Sequence, residues 1–297
     1  MTKIFAAAFF SAVAFAQSIE AKLDHVIIAV RDLDSARVVY SGLGFAVIEG
    51  GRHPTGTQNS AAGFSGGGYL ELITPYDPNL SGGKWMAEAL EKGEGPTGAG
   101  LELTSAEQAV RDLTAAGLKI NGPTPGTILR AGEKEPPPTR WWSVSFADDM
   151  PSRPLFMIQY VRDPSRPPFP RAPHPNSASS LSALLVAVND PEKAAAGYGN
   201  IGKLSTREVP FPEFGAIAKE IVLARGSIFL LRATDPSGPA AQRLRTRGEG
   251  ILGVRLAVTD LDQTRKLIGE KNVSKDRQSV LVGPENAAGS WLEFQRP

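Results

Sequence analysis

The chain alternates short apolar runs with polar, charge-bearing stretches, and the same alternation returns four times. Leu23 to Asp34 reads LDHVIIAVRDLD, and Ile251 to Asp262 reads ILGVRLAVTDLD, aligning with it without a gap. Ser182 to Lys193, SALLVAVNDPEK, is a third copy, and Ala99 to Ala109, AGLELTSAEQA, a weaker fourth. In each, an apolar strand-length run is followed by a residue suited to cap a helix. Asp32 or Asp34, Ser105, the Asp before Pro191, and Asp260 or Asp262 can all accept from the exposed N–H groups of a first helical turn. A second set of apolar runs recurs downstream: Tyr69 to Pro78 (YLELITPYDP), Leu155 to Tyr160 (LFMIQY), Ser227 to Pro236 (SIFLLRATDP) and Trp291 to Gln295 (WLEFQ). Each unit therefore reads as a strand, a helix and about three strands.

The approximate units are 21–80, 97–163, 180–237 and 249–297. Within them, Ala106 to Ala116 places Val110 and Leu113 on one helical face with Gly117 as the stop, and Leu261 to Lys271 turns Leu261 and Ile268 inward. Lys84 to Lys92 (KWMAEALEK) predicts a connecting helix, and Gly66-Gly67-Gly68 a hairpin turn. One βαβββ unit leaves a sheet face bare, so pairs of units are expected to share a curved sheet around a cleft. The predicted class is α+β: four βαβββ modules paired into two tandem domains, 21–163 and 181–297. The Pro- and Ser-rich stretch 164–180 would be the linker between them.

The first residues follow another pattern. Lys3 precedes an apolar run from Ile4 to Ala16 broken only by Ser11 and ending Ala14-Phe15-Ala16. A charged start, a short apolar stretch and a small-residue site predict a secretory signal peptide over 1–16, and a periplasmic or secreted mature protein with no membrane attachment after cleavage. No cysteine is present, which excludes disulfides and thiolate chemistry. Lys and Arg number 32 against 31 Asp and Glu, a net charge of +1, so nothing marks a binder of nucleic acid. No P-loop, dinucleotide-binding glycine loop or G-x-S-x-G elbow is found. A small molecule is the expected partner, with the chain a monomer or homodimer.

The fourfold βαβββ pattern resembles the vicinal-oxygen-chelate superfamily of glyoxalases, extradiol dioxygenases, epimerases and bleomycin-type binding proteins. Gly51 to Asn59 (GRHPTGTQN), Tyr69 to Ile73 (YLELI) and the opening LDHVIIAV are similar to its glyoxalase-like branch. The resemblance implies action on, or binding of, a small oxygenated molecule in the first cleft. In the superfamily a divalent ion is often held by His, Glu or Gln on the first and last strands of paired modules, leaving open positions for substrate oxygens. Carried over, it marks His25 and Glu71 as metal ligands or as a catalytic acid/base pair. Zn, Fe, Mn or Ni would suit, or no ion at all. The matching positions elsewhere read Gly98, Ala183 and Gly253 for His25, and Met157, Phe229 and Glu293 for Glu71. The first domain therefore offers two ligands where catalytic sites keep about three. A slip of one or two residues would recruit Glu102 or Gln159.

Both His25 and Glu71 interrupt apolar strands, where a polar group needs a partner or a wet cavity. His53, held extended by Pro54, and Asn59 belong either to the cleft wall or to a turn that organises the strand. Arg140 beside Trp141 and Trp142 suits an anionic or aromatic ligand. Strand alternation sends the two tryptophans to opposite faces, so at most one of them, Trp141 or Trp142, would reach the cleft, and Trp141 is taken as the candidate. Arg243, Arg245 and Arg247 read as solvated surface. Two functions stay open: an enzyme of lyase, isomerase or dioxygenase type, and a non-catalytic binder of a small ligand.

Overall fold

The computed structural model describes residues 19–133, 138–147, 154–164, 170–199, 201–274 and 276–297. The predicted signal peptide lies outside them. The first module runs β1 (Lys22–Ala29), α1 (Leu33–Gly42), β2 (Ile48–His53), β3 (Thr57–Gly63) and β4 (Tyr69–Pro75). Helix α2 (Ser81–Glu91) leads to β5 (Gly95–Glu102), α3 (Ala106–Ala115), β6 (Ile120–Gly126), β7 (Trp141–Phe146) and β8 (Leu155–Tyr160). The third module is β9 (Ala178–Ala187), α4 (Pro191–Tyr198), β10 (Lys203–Phe211), β11 (Ala216–Val222) and β12 (Ser227–Ala233). Helix α5 (Pro239–Arg247) then leads to β13 (Gly250–Val258), α6 (Leu261–Ile268), β14 (Ser279–Val282) and β15 (Trp291–Gln295).

Two sheets result, ordered β2-β3-β4-β1-β5-β8-β7-β6 and β10-β11-β12-β9-β13-β15-β14. Modules pair in sequence order, and each sheet is centred on two antiparallel first strands: β1 with β5, β9 with β13. In the first sheet the edges are stitched together. Arg52 and Leu129 exchange backbone hydrogen bonds of 2.9 and 2.8 Å, tying β2 to the chain just after β6. The sheet is thereby curled around a hollow.

The helices form where the capping residues stand. Asp32, Ser105, Asp190 and Asp260 each accept from backbone N–H groups of the first turn. Their apolar faces, including Tyr40, Leu113, Tyr198 and Leu261, bury against the outer sheet faces in one continuous core that spans both halves. Phe45 packs on Phe294 with ring centroids 5.9 Å apart, and the Tyr40 hydroxyl donates to the Ala287 carbonyl across the same junction.

Two expectations change. Strand β9 begins at Ala178, inside the stretch expected to be linker, and His174 and Asn176 before it are buried. His174 accepts from the Ala46 N–H and contacts the Gly63 carbonyl, and Asn176 donates to Leu43, so this segment is docked rather than loose. The arginines of α5 are not simply solvated either. Arg247 donates to the carbonyls of Glu94 and Gly93, and Arg243 to those of Gly248 and Ile251. These guanidinium groups bond backbone carbonyls in the segments that follow α2 and α5, and Arg247 does so across the junction between the two halves.

Candidate acid–base site

The concave face of the first sheet is half apolar and half polar. On the apolar half, Met86 and Leu90 of α2 lie against Ile27, Ala29 and Ile73. The polar half gathers around His25 on β1, which is 2% exposed. Its imidazole stacks on the Tyr69 ring at 4.6 Å and meets the edge of Phe156 at 5.3 Å. With Nδ1 protonated, it donates to Asp24 Oδ2 at 2.8 Å. Nε2 faces Glu71 Oε2 at 3.7 Å. His25 and Ile27 of β1 pair with Tyr69 and Glu71 of β4, which sets this side-by-side presentation.

The two carboxylates are themselves held. Asp24 also accepts from the Tyr160 hydroxyl at 2.6 Å, and that hydroxyl lies 3.4 Å from the Tyr69 hydroxyl. Glu71 accepts from the Asn59 side-chain amide at 2.5 Å, and Asn59 Oδ1 accepts from the Gly51 N–H at 2.9 Å. Gly50 of β2 makes room for this amide: a Cβ there would stand 1.9 Å from Asn59 Oδ1. Gly100 of β5 does the same for His25, because a Cβ there would lie 2.2 Å from its Cε1.

Burial by itself pushes the His25 pKa down, yet the hydrogen bond and charge of Asp24, with the charge of Glu71, carry it above the ordinary histidine value. Burial likewise works to raise Asp24, and His25, Tyr160 and Arg225 overcome it and hold the carboxyl below its usual range. His53 is shifted the other way: burial lowers it, opposed by Glu71 and reinforced by the His25 charge. His174 is also lowered by burial. Of the three histidines, an NMR titration is expected to find one above about 6.5 and two below it. The stabilising contribution of His25 is complete below its unfolded value and is lost as pH rises through the raised folded value. Those of His53 and His174 are present above about 6.5 and are lost as pH falls through their lowered values. Two histidines raised, or none, would contradict the pairing of His25 with Asp24.

The other candidates divide. Asn59 is part of the cluster. His53 sits beside it, its Nδ1 2.9 Å from Thr57 Oγ1 and its ring 6.0 Å from that of Trp141. Arg140 does not join: it pairs with Glu133 and donates to the Ile128 carbonyl. Trp142 is 37% exposed and lines a different cavity. Sequence reasoning missed Asp24, Tyr69, Tyr160 and Gly100. The first had a signal, a carboxylate beside a histidine in an apolar run. A register shift between Leu23 and His25 lets these neighbours meet, which strict alternation forbids.

The pairing of Gly100 with Phe156 corrects the assignment of Met157. Phe156 occupies the place equivalent to Glu71, and Met157 belongs to the helix-side core. Neither substitute ligand reaches the cluster: Glu102 lies 3.6 Å from Arg225, and Gln159 accepts from the Ala106 N–H. Gly98 and Phe156 supply no donor, and among the described residues no group of three His, Cys, Asp or Glu is placed to hold a metal ion. The donor set does not fit a tightly held divalent ion. In the second sheet the equivalent hollow is packed with Phe211, Phe214 and Phe229, and Glu293 is neutralised by Arg255 at 2.9 Å.

Comparison with known proteins agrees with this architecture. The model of the glyoxalase-like domain matches residues 23–202. The chain belongs to the glyoxalase-like domain family. Among solved structures, a hypothetical protein from Staphylococcus aureus superposes with a TM-score of 0.64 at 14% identity, covering 93% of this chain and 100% of that one. A mutant 4-hydroxymandelate synthase from Streptomyces coelicolor gives 0.62 at 13% identity, covering 94% of this chain and 93% of that one. At such identities the likeness to these two is one of fold: tandem vicinal-oxygen-chelate domains. No curated protein gives a significant sequence match.

Proposed function

We propose that the first domain of this glyoxalase-like protein carries out proton transfer on a small oxygenated molecule, of isomerase or lyase type, with no resident metal. The observation that carries this is His25, hydrogen-bonded to Asp24 through one ring nitrogen and facing Glu71 at 3.7 Å through the other. Burying two carboxylates and an imidazole on a concave face costs stability that an apolar core would not, and such expense concentrates at functional sites. The upward shift of the His25 pKa, caused by Asp24 and Glu71 against burial, favours its acid form, so it is assigned the acid and Glu71 the base. Glu71 takes a proton from a carbon next to a carbonyl. The C–H electron pair moves to the carbonyl oxygen, where the His25 Nε2–H meets the developing charge. Returning the proton at the same or a neighbouring carbon completes the cycle without redox change. Asn59 holds Glu71 in place, and Asp24 fixes the imidazole.

The cluster is closed at rest, with His25 and Glu71 2% and 6% exposed, so a substrate reaches it only as neighbouring side chains move. The test is deuterium uptake from D2O into a panel of small α-hydroxy ketones and keto acids, followed by proton NMR. Wild-type protein should catalyse exchange on at least one compound, equally with and without EDTA, and Glu71→Gln or His25→Gln should slow it by about 10²-fold or more. A metal retained at one per chain, whose removal abolishes exchange, would overturn the metal-free reading. Saturable binding without any exchange would favour the alternative, a non-catalytic binder on the same scaffold.

Export is proposed too, on the strength of Lys3, the apolar run to Ala16 and the Ala14-Phe15-Ala16 site. Protein recovered from the periplasm or medium should begin at Gln17 by mass spectrometry; an intact Met1 on recovered protein would refute it.

A further inference from the structure

A cavity of about 570 Å³ opens where β1 begins and β5 and β8 end. It falls within the roughly 300–1,000 Å³ of ordinary small-ligand pockets. Trp142 and Tyr160, 37% and 39% exposed, stand in its wall. Single exposed apolar side chains are commonplace, but two aromatic groups sharing one concavity are not scattered surface. Lys22 and Arg162 line the same space, and among the described residues neither makes an ion pair. Of the two carboxylates present, Glu102 lies 3.6 Å from Arg225, which leaves Glu20 alone against two cations. Gln159 has its side-chain oxygen committed to the Ala106 N–H, so it faces a ligand as a donor only.

We propose that this cavity is a second binding site, distinct from the His25 cluster, for a flat monocarboxylate. The ring would lie on Trp142 and the carboxylate between Lys22 and Arg162, since aromatic faces and charge-assisted bonds favour that class. The proposal stands whether or not the buried cluster turns a substrate over. Tyr160 links the two places: its ring lines the cavity while its hydroxyl reaches Asp24.

Isothermal titration with benzoate, and with benzylamine as the charge-reversed probe, decides the matter. Saturable benzoate binding is expected, at least about tenfold tighter than benzylamine, and weakened about tenfold or more by Trp142→Ala and by Lys22→Gln combined with Arg162→Gln. Trp85→Phe, at an exposed tryptophan outside this cavity, should leave affinity unchanged. Unaltered thermal melting of each variant, all at solvent-reached positions, separates lost binding from lost folding. Equal binding of the two probes, benzoate binding indifferent to these substitutions, or no benzoate binding at about 10 mM would each overturn the site.

Discussion

Asp24→Ala is expected to cost the fold about 3–5 kcal/mol, the range for removing one partner of a buried charge pair. Asp24 is 4% exposed and receives both the His25 Nδ1–H and the Tyr160 hydroxyl, so its loss strands the buried imidazole donor and removes the acceptor of the Tyr160 hydroxyl. Asp24→Asn separates charge from hydrogen bonding. Its amide oxygen still accepts a hydrogen bond, so the loss of stability should be smaller. The His25 pKa should nevertheless fall, because the charge that offsets burial has gone and burial acts to lower it. Urea unfolding and histidine NMR read the two effects independently. The sign of the pH dependence follows. Wild-type stability from His25 is full below about 6.5 and lost as pH rises through the raised folded value. Asp24→Asn should remove that alkaline loss. An unchanged His25 titration in Asp24→Asn would mean that Asp24 does not set the charge state of the site.

Gly100→Ala should disable the cluster through a single methyl group. The new Cβ would lie 2.2, 2.6 and 2.9 Å from Cε1, Nδ1 and Nε2 of His25. The ring has nowhere to go, being stacked on Tyr69, edged by Phe156 and bonded to Asp24. Overpacking of this kind costs about 1–3 kcal/mol. Here it also drives the imidazole from Asp24, so the proposed proton exchange should vanish and the His25 pKa should drop. Gly98→Ala is the control two residues away. Its Cβ would meet nothing closer than the Pro154 carbonyl oxygen at 3.3 Å and no atom of His25, so a smaller loss of stability than for Gly100→Ala and an unshifted His25 titration are expected. Comparable damage from both substitutions would show that β5 needs glycine for its backbone rather than for the histidine opposite.

Such a pair of glycines illustrates where sequence reasoning stops. Gly98 and Gly100 look alike in the string GAG, yet only one has an imidazole in the space its Cβ would take, and that depends on the β1–β5 register. Register also explains the Met157 error. Both Phe156 and Met157 are apolar, and a shift of one residue exchanges the concave face for the core. Asp24 was written next to His25 all along, but alternation places neighbours on opposite faces, and only the register shift in β1 brings them together. Arg140 stands apart from these: its neighbours suggested a ligand contact, and the structure shows it paired with Glu133.

What the sequence by itself determined is the repeated unit and its class: four modules of one pattern, three of them βαβββ and the last βαββ among the described residues, capping residues at the helix starts, and His25 with Glu71 as polar interruptions of β1 and β4. These are encoded locally, in the period of apolar residues and in side chains that bond within a turn. The tertiary structure alone decided that Asp24, Tyr160 and Tyr69 enclose the imidazole, that Gly100 clears its place, that the second hollow is filled, and that neither Glu102 nor Gln159 is turned toward the cluster. Each of these depends on strands far apart in the chain meeting in one register, and a contact between distant strands leaves no periodic trace in either of them.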